Sequence, residues 1–288
     1  MTKIDYISLF KQKKSYKITN EDIPNVDNPL IIGCLDLPIT TMCTLKCKNC
    51  SSLMPYYQHP TLFSTEVILK QLDVLFSVVD KILRVNVLGG EPFLHKDLDK
   101  IIRKLSPDKV KKALIITNGT VVPKNKELLL ALRQKNVEVR ISDYKSVSIN
   151  MISLKEQLEV NKIHYTIKSF GKDSFNWYDF GDFSNRGRTT EELNKQYLNC
   201  DVEWGSIIDG KLFPCPRSAH ATDLGLISND SSNYINIFKL SNDKSQLKKQ
   251  LEDFIINDKA FNCCNYCDRG TSLCKKVKVA EQIVNINK

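Results

Sequence analysis

The sequence predicts an α/β fold, with parallel strands forming an open sheet or barrel, followed by a smaller C-terminal unit of different architecture. Three observations carry this. Short apolar runs alternate with amphipathic stretches from about residue 35 to residue 169, the alternation then stops, and a second pattern of cysteines, hairpin and helix follows. Repeated βα units imply parallel strands joined by right-handed crossovers.

Residues 35–41 read as the first strand. Residues 64–79 read as a helix, because Val67, Ile68, Leu72, Leu75, Phe76 and Val79 recur at helical spacing and Ser64 is an N-cap residue type. Residues 83–88 are the next strand. The helix at 97–105 turns Leu98, Ile101, Ile102 and Leu105 inward. Strands follow at 113–117, 137–142 and 164–169, with helices near 124–135 and at 151–160 between them. Residues 171–188 hold glycines, aspartates and aromatics without clear periodicity, and a sixth strand is expected near 176–183. Beyond them, Asp209-Gly210 lies between two apolar runs, 202–208 and 211–214, a strong hairpin signal. Residues 245–256 form a helix with Leu247, Leu251, Phe254 and Ile255 on one face. The expected units are an extension over 1–30, a βα unit over 31–190 and a C-terminal unit over 191–288.

At 288 residues the chain is long enough for a sizeable core. Its 42% hydrophobic and 26% charged content is ordinary for a soluble globular protein. No apolar run reaches membrane-spanning length, and the polar, lysine-rich start has no signal-type apolar core. A cytoplasmic protein without a membrane partner is expected. The net charge of +9 is spread over scattered lysines, with small clusters at 11–14, 109–112 and 275–278. That reads as solvated faces rather than a nucleic-acid surface.

Ten cysteines are many for a cytoplasmic chain, where metal ligation is a better expectation than disulfides. Cys43, Cys47 and Cys50 form one group, spaced C-x3-C-x2-C. Cys200, Cys215, Cys263, Cys264, Cys267 and Cys274 form another, and Cys34 stands apart as an expected small buried residue. Three thiolates can hold three irons of a 4Fe–4S cluster and leave the fourth iron open, and the same spacing could be half of a zinc site. Ligands in parallel α/β folds bind at the C-terminal ends of the strands. Four strings fall at such ends: the cysteine loop, Gly89-Gly90-Glu91-Pro92, Thr117-Asn118-Gly119 and Ser142-Asp143. The glycines allow close backbone approach, and Glu91 offers an anion to an ammonium group. Each of the last two strings also reads as a plain turn or cap. Tyr178, Asp179, Asp182, Arg186, Arg217 and His220 are weaker loop candidates.

From about residue 30 onward these strings resemble the radical S-adenosylmethionine (SAM) superfamily. The resemblance implies a partial (β/α)6 TIM-like barrel with a small β-hairpin-plus-helix auxiliary iron–sulfur unit. Cys43, Cys47 and Cys50 match the ligands of the SAM cluster. Gly89, Gly90 and Glu91 match the motif that binds the amino group of SAM, while Ser142 and Asp143, with Asn118 beside them, match its ribose contacts. The residue before the third cysteine is commonly aromatic in the family but is Asn49 here, which leaves the adenine contact open. Cys200, nine residues, Gly210, four residues and Cys215 resemble the opening of the family's twitch and SPASM appendages. Cys264 and Cys267 match the closing pair of the twitch form, and the longer SPASM pattern is incomplete. An auxiliary 4Fe–4S cluster on Cys200, Cys215, Cys264 and Cys267 is implied, with Cys263 or Cys274 as alternative ligands and a four-cysteine zinc site as the competing reading.

The resemblance thus implies two 4Fe–4S clusters, SAM, and a flavodoxin- or ferredoxin-like electron donor. The expected chemistry is hydrogen abstraction from a substrate C–H in a two-electron oxidation of a small polar molecule, such as a sugar or aminocyclitol derivative. Modification of a ribosomal peptide is the alternative within the enzyme class. A non-catalytic cysteine-rich metal or electron-transfer protein is the alternative outside it.

Overall fold

Five βα-type strands run side by side, each bringing its C-terminal end to the same rim. The structure is a computed structural model that describes residues 23–171, 174–202 and 205–283. In chain order the elements of this half are β1 (Ile31–Thr40), α1 (Thr65–Phe76), β2 (Lys81–Gly89), α2 (Leu98–Lys104), β3 (Ala113–Thr117), α3 (Lys126–Ala131), β4 (Val137–Asp143), α4 (Met151–Val160) and β5 (Tyr165–Ser169). Most of the expected 1–30 extension, residues 1–22, lies outside the described residues, as do the lysines at 11–14.

Strand alternation sorts the side chains onto two faces. Odd-numbered positions on β1 to β4, such as Leu35, Leu37, Val85, Val87, Ile115, Val139 and Ile141, are fully buried against the helices. The helices present Ile68, Leu72, Leu75, Ile101, Ile102, Leu154 and Leu158 to them. Each such side chain contributes about 1.5–3 kcal/mol by leaving water, so this layer carries most of the fold's stability. Even-numbered positions face the interior of the sheet's curve, and several are polar: Asp36 and Asn86 are buried there, with Asn86 Nδ2 donating to Asp36 Oδ1 at 2.7 Å. Cys34 is buried as expected, but it also accepts from Arg84 Nε at 3.3 Å and Asn86 Nδ2 at 3.4 Å.

The remaining elements are β6 (Trp177–Asp179), α5 (Thr190–Asn199), β7 (Gly205–Ile208), β8 (Lys211–Phe213), α6 (Pro216–Asp223), β9 (Ile235–Asn236), α7 (Lys244–Ile255) and β10 (Lys275–Val277). The main sheet has the order β5-β4-β3-β2-β1-β7-β8-β9. β1 to β5 are parallel to their neighbours, and β7 is parallel to β1 through Leu35↔Gly205 and Asp36↔Ser206.

One expectation is corrected here. The sixth βα strand does not continue the barrel: β6 pairs antiparallel with β10, Trp177 opposite Val277, in a separate two-stranded sheet. Beyond residue 190 the chain also adds to the main sheet and its apolar cluster. The hairpin of β7 and β8 extends the main sheet beyond β1, and α7 buries Leu247, Leu251 and Ile255 in the same apolar cluster as α1 and α2. The hairpin turn itself is as expected, with Asp209 at φ 47° and Gly210 at φ 67°, the pair of positive φ values of a type I′ turn.

Candidate functional site

A cavity of about 560 Å³ opens where the strands of the main sheet end, and both cysteine groups line it. Cys43, Cys47 and Cys50 lie in the loop after β1. Opposite them stand Cys200, Cys215, Cys263, Cys264 and Cys267.

The first loop is held from three sides. Gly89 and Gly90 end β2 directly beneath it. The amides of Gly90 and Glu91 donate to the carbonyls of Thr40 and Met42 at 2.9 and 2.8 Å. A Cβ on Gly89 would lie 2.1 Å from the Thr40 carbonyl oxygen, and one on Gly90 would lie 1.9 Å from that of Met42. Only glycine fits this contact. Across the loop, Asn118 Nδ2 donates to Thr44 Oγ1 at 3.1 Å and approaches Cys43 Sγ at 3.7 Å. The chain's C-terminal segment closes the third side: Lys48 N donates to Glu281 O, Ile283 N to Lys46 O, and Gln282 Nε2 to Cys47 Sγ at 3.2 Å. Sequence reasoning missed this segment.

Burial pushes the Cys43 thiol up to about 11 and the Cys47 thiol to about 12, and it raises Cys50 as well. N–H groups partly oppose this: Leu45 at Cys43, and Met54, Ser52 and Leu53 at Cys50. Donors aimed at sulfur favour the thiolate, the form that binds iron.

Among the expected SAM contacts, Gly89, Gly90, Asn118 and Ser142 line the cavity, and Glu91 and Asp143 do not. Glu91 is fully buried behind the wall. Its carboxylate accepts from Thr117 Oγ1 at 2.8 Å, Asn118 N at 2.9 Å and Phe93 N at 3.2 Å. Glu91 thus ties the ends of β2 and β3 together, and burial raises its carboxyl to about 7. Asp143 follows Ser142 on β4 and so points to the opposite side. It pairs with Lys145 Nζ at 2.6 Å and accepts from Ser169 Oγ at 2.7 Å, so its side chain is committed to the rim structure.

The second cysteine group is gathered from three elements. Cys200 ends α5, Cys215 caps α6 with its sulfur accepting from Ser218 N, and Cys263, Cys264 and Cys267 surround a short 3-10 turn at Asn262–Tyr266. Burial raises Cys215, and it raises Cys267 to about 12, against the nearby charge of Arg217. Cys263 is raised first by its hydrogen bond with Cys264 and then by burial. Cys274 is not on the cavity wall, and Arg269 Nη1 approaches its sulfur at 3.7 Å. The Arg217 guanidinium lies 4.2 Å from the Phe183 ring centroid, and its Nη2 donates to Gly181 O at 2.6 Å.

Of the other loop candidates, Arg186 bridges Asp182 and Asp268, a structural role. His220 is fully buried, held neutral with its pKa lowered to about 3 by burial, and its Nδ1 lies 2.9 Å from Tyr57 Oη.

Both cysteine groups suit iron–sulfur clusters by their donor chemistry: thiols line the cavity, and backbone N–H groups point at sulfur, Leu45 at Cys43, Ser218 at Cys215 and Arg269 at Cys267. Among the described residues, no three His, Cys, Asp or Glu side chains draw close enough to hold a single metal ion.

Residues 37–177 match the family model of the radical SAM superfamily. A probable GTP 3′,8-cyclase of Methanococcus maripaludis (strain C6) is 32% identical over 130 residues, 43% of each protein. A GTP 3′,8-cyclase of Helicobacter pylori (strain HPAG1) is 26% identical over 132 residues, 45% of this chain and 40% of that one. The match thus spans less than half the length of these curated relatives. The crystal structure of BtrN in complex with AdoMet and 2-DOIA aligns with a TM-score of 0.50 at 17% identity, over 87% of this chain and 96% of that one, a likeness of fold. The match places the segment 37–177, just under half of the chain, in the radical SAM superfamily.

Proposed function

We propose that this radical SAM enzyme carries out a two-electron oxidation of a small polar molecule, such as a sugar or aminocyclitol derivative, in the cavity between two 4Fe–4S clusters. The observation that carries the reading is that both cysteine groups line one cavity, so a substrate placed there would lie in the same chamber as the sites of both clusters. Cys43, Cys47 and Cys50 would hold the first cluster, and Cys200, Cys215, Cys264 and Cys267 the second, with Cys263 adjoining. When bound, the first cluster and SAM supply reductive cleavage to methionine and a 5′-deoxyadenosyl radical, and the second supplies a path for the electron released on oxidation.

The chain's own residues do the rest. Gly89 and Gly90 bring backbone against the cluster loop and leave room for the amino acid end of SAM. Asn118 and Ser142 offer polar atoms on the same rim. Leu45, Met54, Tyr144, Phe170 and Phe183 give much of the wall apolar character, which excludes water from a reactive intermediate. The electron donor is proposed as a flavodoxin- or ferredoxin-like protein, whose acidic face would suit a chain of net charge +9. The curated relatives named GTP 3′,8-cyclase match over less than half of either chain, so their reaction does not carry over. Peptide modification is the second reading, favoured by the same open cavity.

The test is anaerobic reconstitution followed by reduction in the presence of SAM. Release of 5′-deoxyadenosine by the wild type and its abolition by Cys43→Ala, Cys47→Ala and Cys50→Ala are expected. No release by the wild type overturns the reading.

A further inference from the structure

The loop that carries Cys43, Cys47 and Cys50 has a cavity side and a solvent side. Cys43, Leu45 and Cys47 line the cavity, while Met42, Thr44, Lys46 and Lys48 are exposed. Extended chain turns successive side chains to opposite sides, so the wall at Cys47 is backed by two solvent-facing lysines. Residues 280–283 lie against the same stretch. Lys48 N donates to Glu281 O and Ile283 N to Lys46 O, both at 2.8 Å, with Gln282 opposite Cys47. Gln282 turns inward to the Cys47 sulfur, and Glu281 and Ile283 stay exposed.

The outer surface built in this way mixes basic and apolar side chains. Met42 is 37% exposed and Ile283 41%. Residues 42–50 and 276–283 carry Lys46, Lys48, Lys276 and Lys278 against one carboxylate, Glu281, and all five are exposed. Lys278 already has an interaction within the chain; without it, Lys46, Lys48 and Lys276 still outnumber Glu281. Lys276 precedes Glu281 by only a short stretch of chain, so the two lie within about 18 Å of each other. Complementary charge steers a protein partner and sets its orientation, and electron-transfer encounters use small contacts, under about 1,200 Å² in total. A small basic face directly behind Cys47, which is 7% exposed, fits such an encounter.

We infer that this outer face of the loop, with Lys46, Lys48, Met42 and Ile283, is the docking surface for an acidic one-electron carrier protein. It rests on the reading that Cys43, Cys47 and Cys50 hold the first cluster, and it adds where the electron enters. One electron leaves the reduced cofactor of the carrier and is taken up behind Cys47; no proton or group moves with it. The carrier docks outside the cavity, so it and a substrate bind without excluding one another.

The test is stopped-flow reduction of the anaerobic, reconstituted holoprotein at low salt. Reduced flavodoxin is the probe, and dithionite is a small reductant that needs no docking. The double variant Lys46→Glu, Lys48→Glu is reduced by flavodoxin about tenfold more slowly than the wild type. The double variant Lys46→Arg, Lys48→Arg keeps the wild-type rate, and salt slows the wild type towards the charge-reversed variant. Dithionite reduces all three alike, because residues 46 and 48 hold the segment 281–283 through their backbone. Lys111→Glu with Lys135→Glu, exposed at the opposite ends of β3 and β4, keeps the wild-type rate with both reductants. No reduction of the wild type by flavodoxin, equal flavodoxin rates for wild type and the charge-reversed variant, an equal loss from the control pair, or the same slowing with dithionite overturns the inference. Release of 5′-deoxyadenosine from the wild type with dithionite as reductant reports on the radical SAM reading separately.

Discussion

Replacing Gly90 by alanine tests how the cluster loop is held. The added Cβ would lie 1.9 Å from the Met42 carbonyl oxygen, 2.4 Å from its carbon and 2.9 Å from Cys43 Cβ. An ordinary carbon–oxygen contact is about 3.3 Å, so the backbone at Met42 and Cys43 must retreat by more than about 1 Å. That retreat breaks the Glu91 N to Met42 O bond of 2.8 Å and moves Cys43 off its place among the three thiols. Overpacking of this kind costs about 1–3 kcal/mol, and a displacement of about 1 Å in a positioned group is enough to disable a site. Gly90→Ala is expected to lose iron from the first cluster, release no 5′-deoxyadenosine, and melt a few degrees lower. The assays are iron content, SAM cleavage and a thermal scan. Full iron content with wild-type cleavage would refute the reasoning, because the loop would then be free to move without consequence.

Further outcomes follow from neighbouring contacts. Gln282→Ala removes the donor to Cys47 Sγ and the acceptor for Lys46 N; at about 0.5–1.5 kcal/mol per hydrogen bond, iron should be lost to a chelator roughly tenfold faster, which a colorimetric time course measures. Arg217→Met removes a positive charge close to Cys215 and Cys267 and should lower the midpoint potential of the second cluster by on the order of 50 mV, read by redox titration. Glu91 in the folded chain has its carboxyl raised from 4.5 to about 7 by burial. The folded state therefore holds a proton that the unfolded state releases, and stability from this group is present at low pH and lost as pH rises through about 7. Urea melts of wild type against Glu91→Gln between pH 5.5 and 8 should show the wild type losing about 2 kcal/mol relative to the variant, whereas parallel profiles would show that Glu91 is not protonated in this range.

The βα core was legible because its signals are local. Leu72 and Leu75 at helical spacing, the apolar run at 113–117 and the Asp209-Gly210 turn each sit where the sequence puts them. Helix α5 was also within reach, since Thr189 and Glu192 form a complete capping box that went unread. What escaped depends on distant pairing. β6 looks like a continuation of the barrel until residues 275–277 are seen to claim it. Gln282 reaches Cys47 across 235 positions, and nothing local in either segment announces the contact.

The site itself was half legible. The cysteines and glycines could be read from spacing, because each chemistry demands particular residue types at particular strand ends. Ser142 and Asp143 read alike in the sequence, yet Ser142 lines the cavity while Asp143 is held by Lys145 and Ser169. Glu91 carries a charge and was expected to meet a ligand, but its three donors come from the backbone and from Thr117, an arrangement visible only in three dimensions. Arg140 and Lys168 read as ordinary strand cations. Their place on the cavity wall emerges from the strand register and the fold around it.

The central claim is that two clusters face one cavity, and iron with acid-labile sulfide per chain tests it most directly. Reconstituted wild type should hold about eight of each, falling to about four when Cys200 and Cys267 are both replaced by alanine. A wild type that holds only about four irons, unchanged by those replacements, would contradict the account.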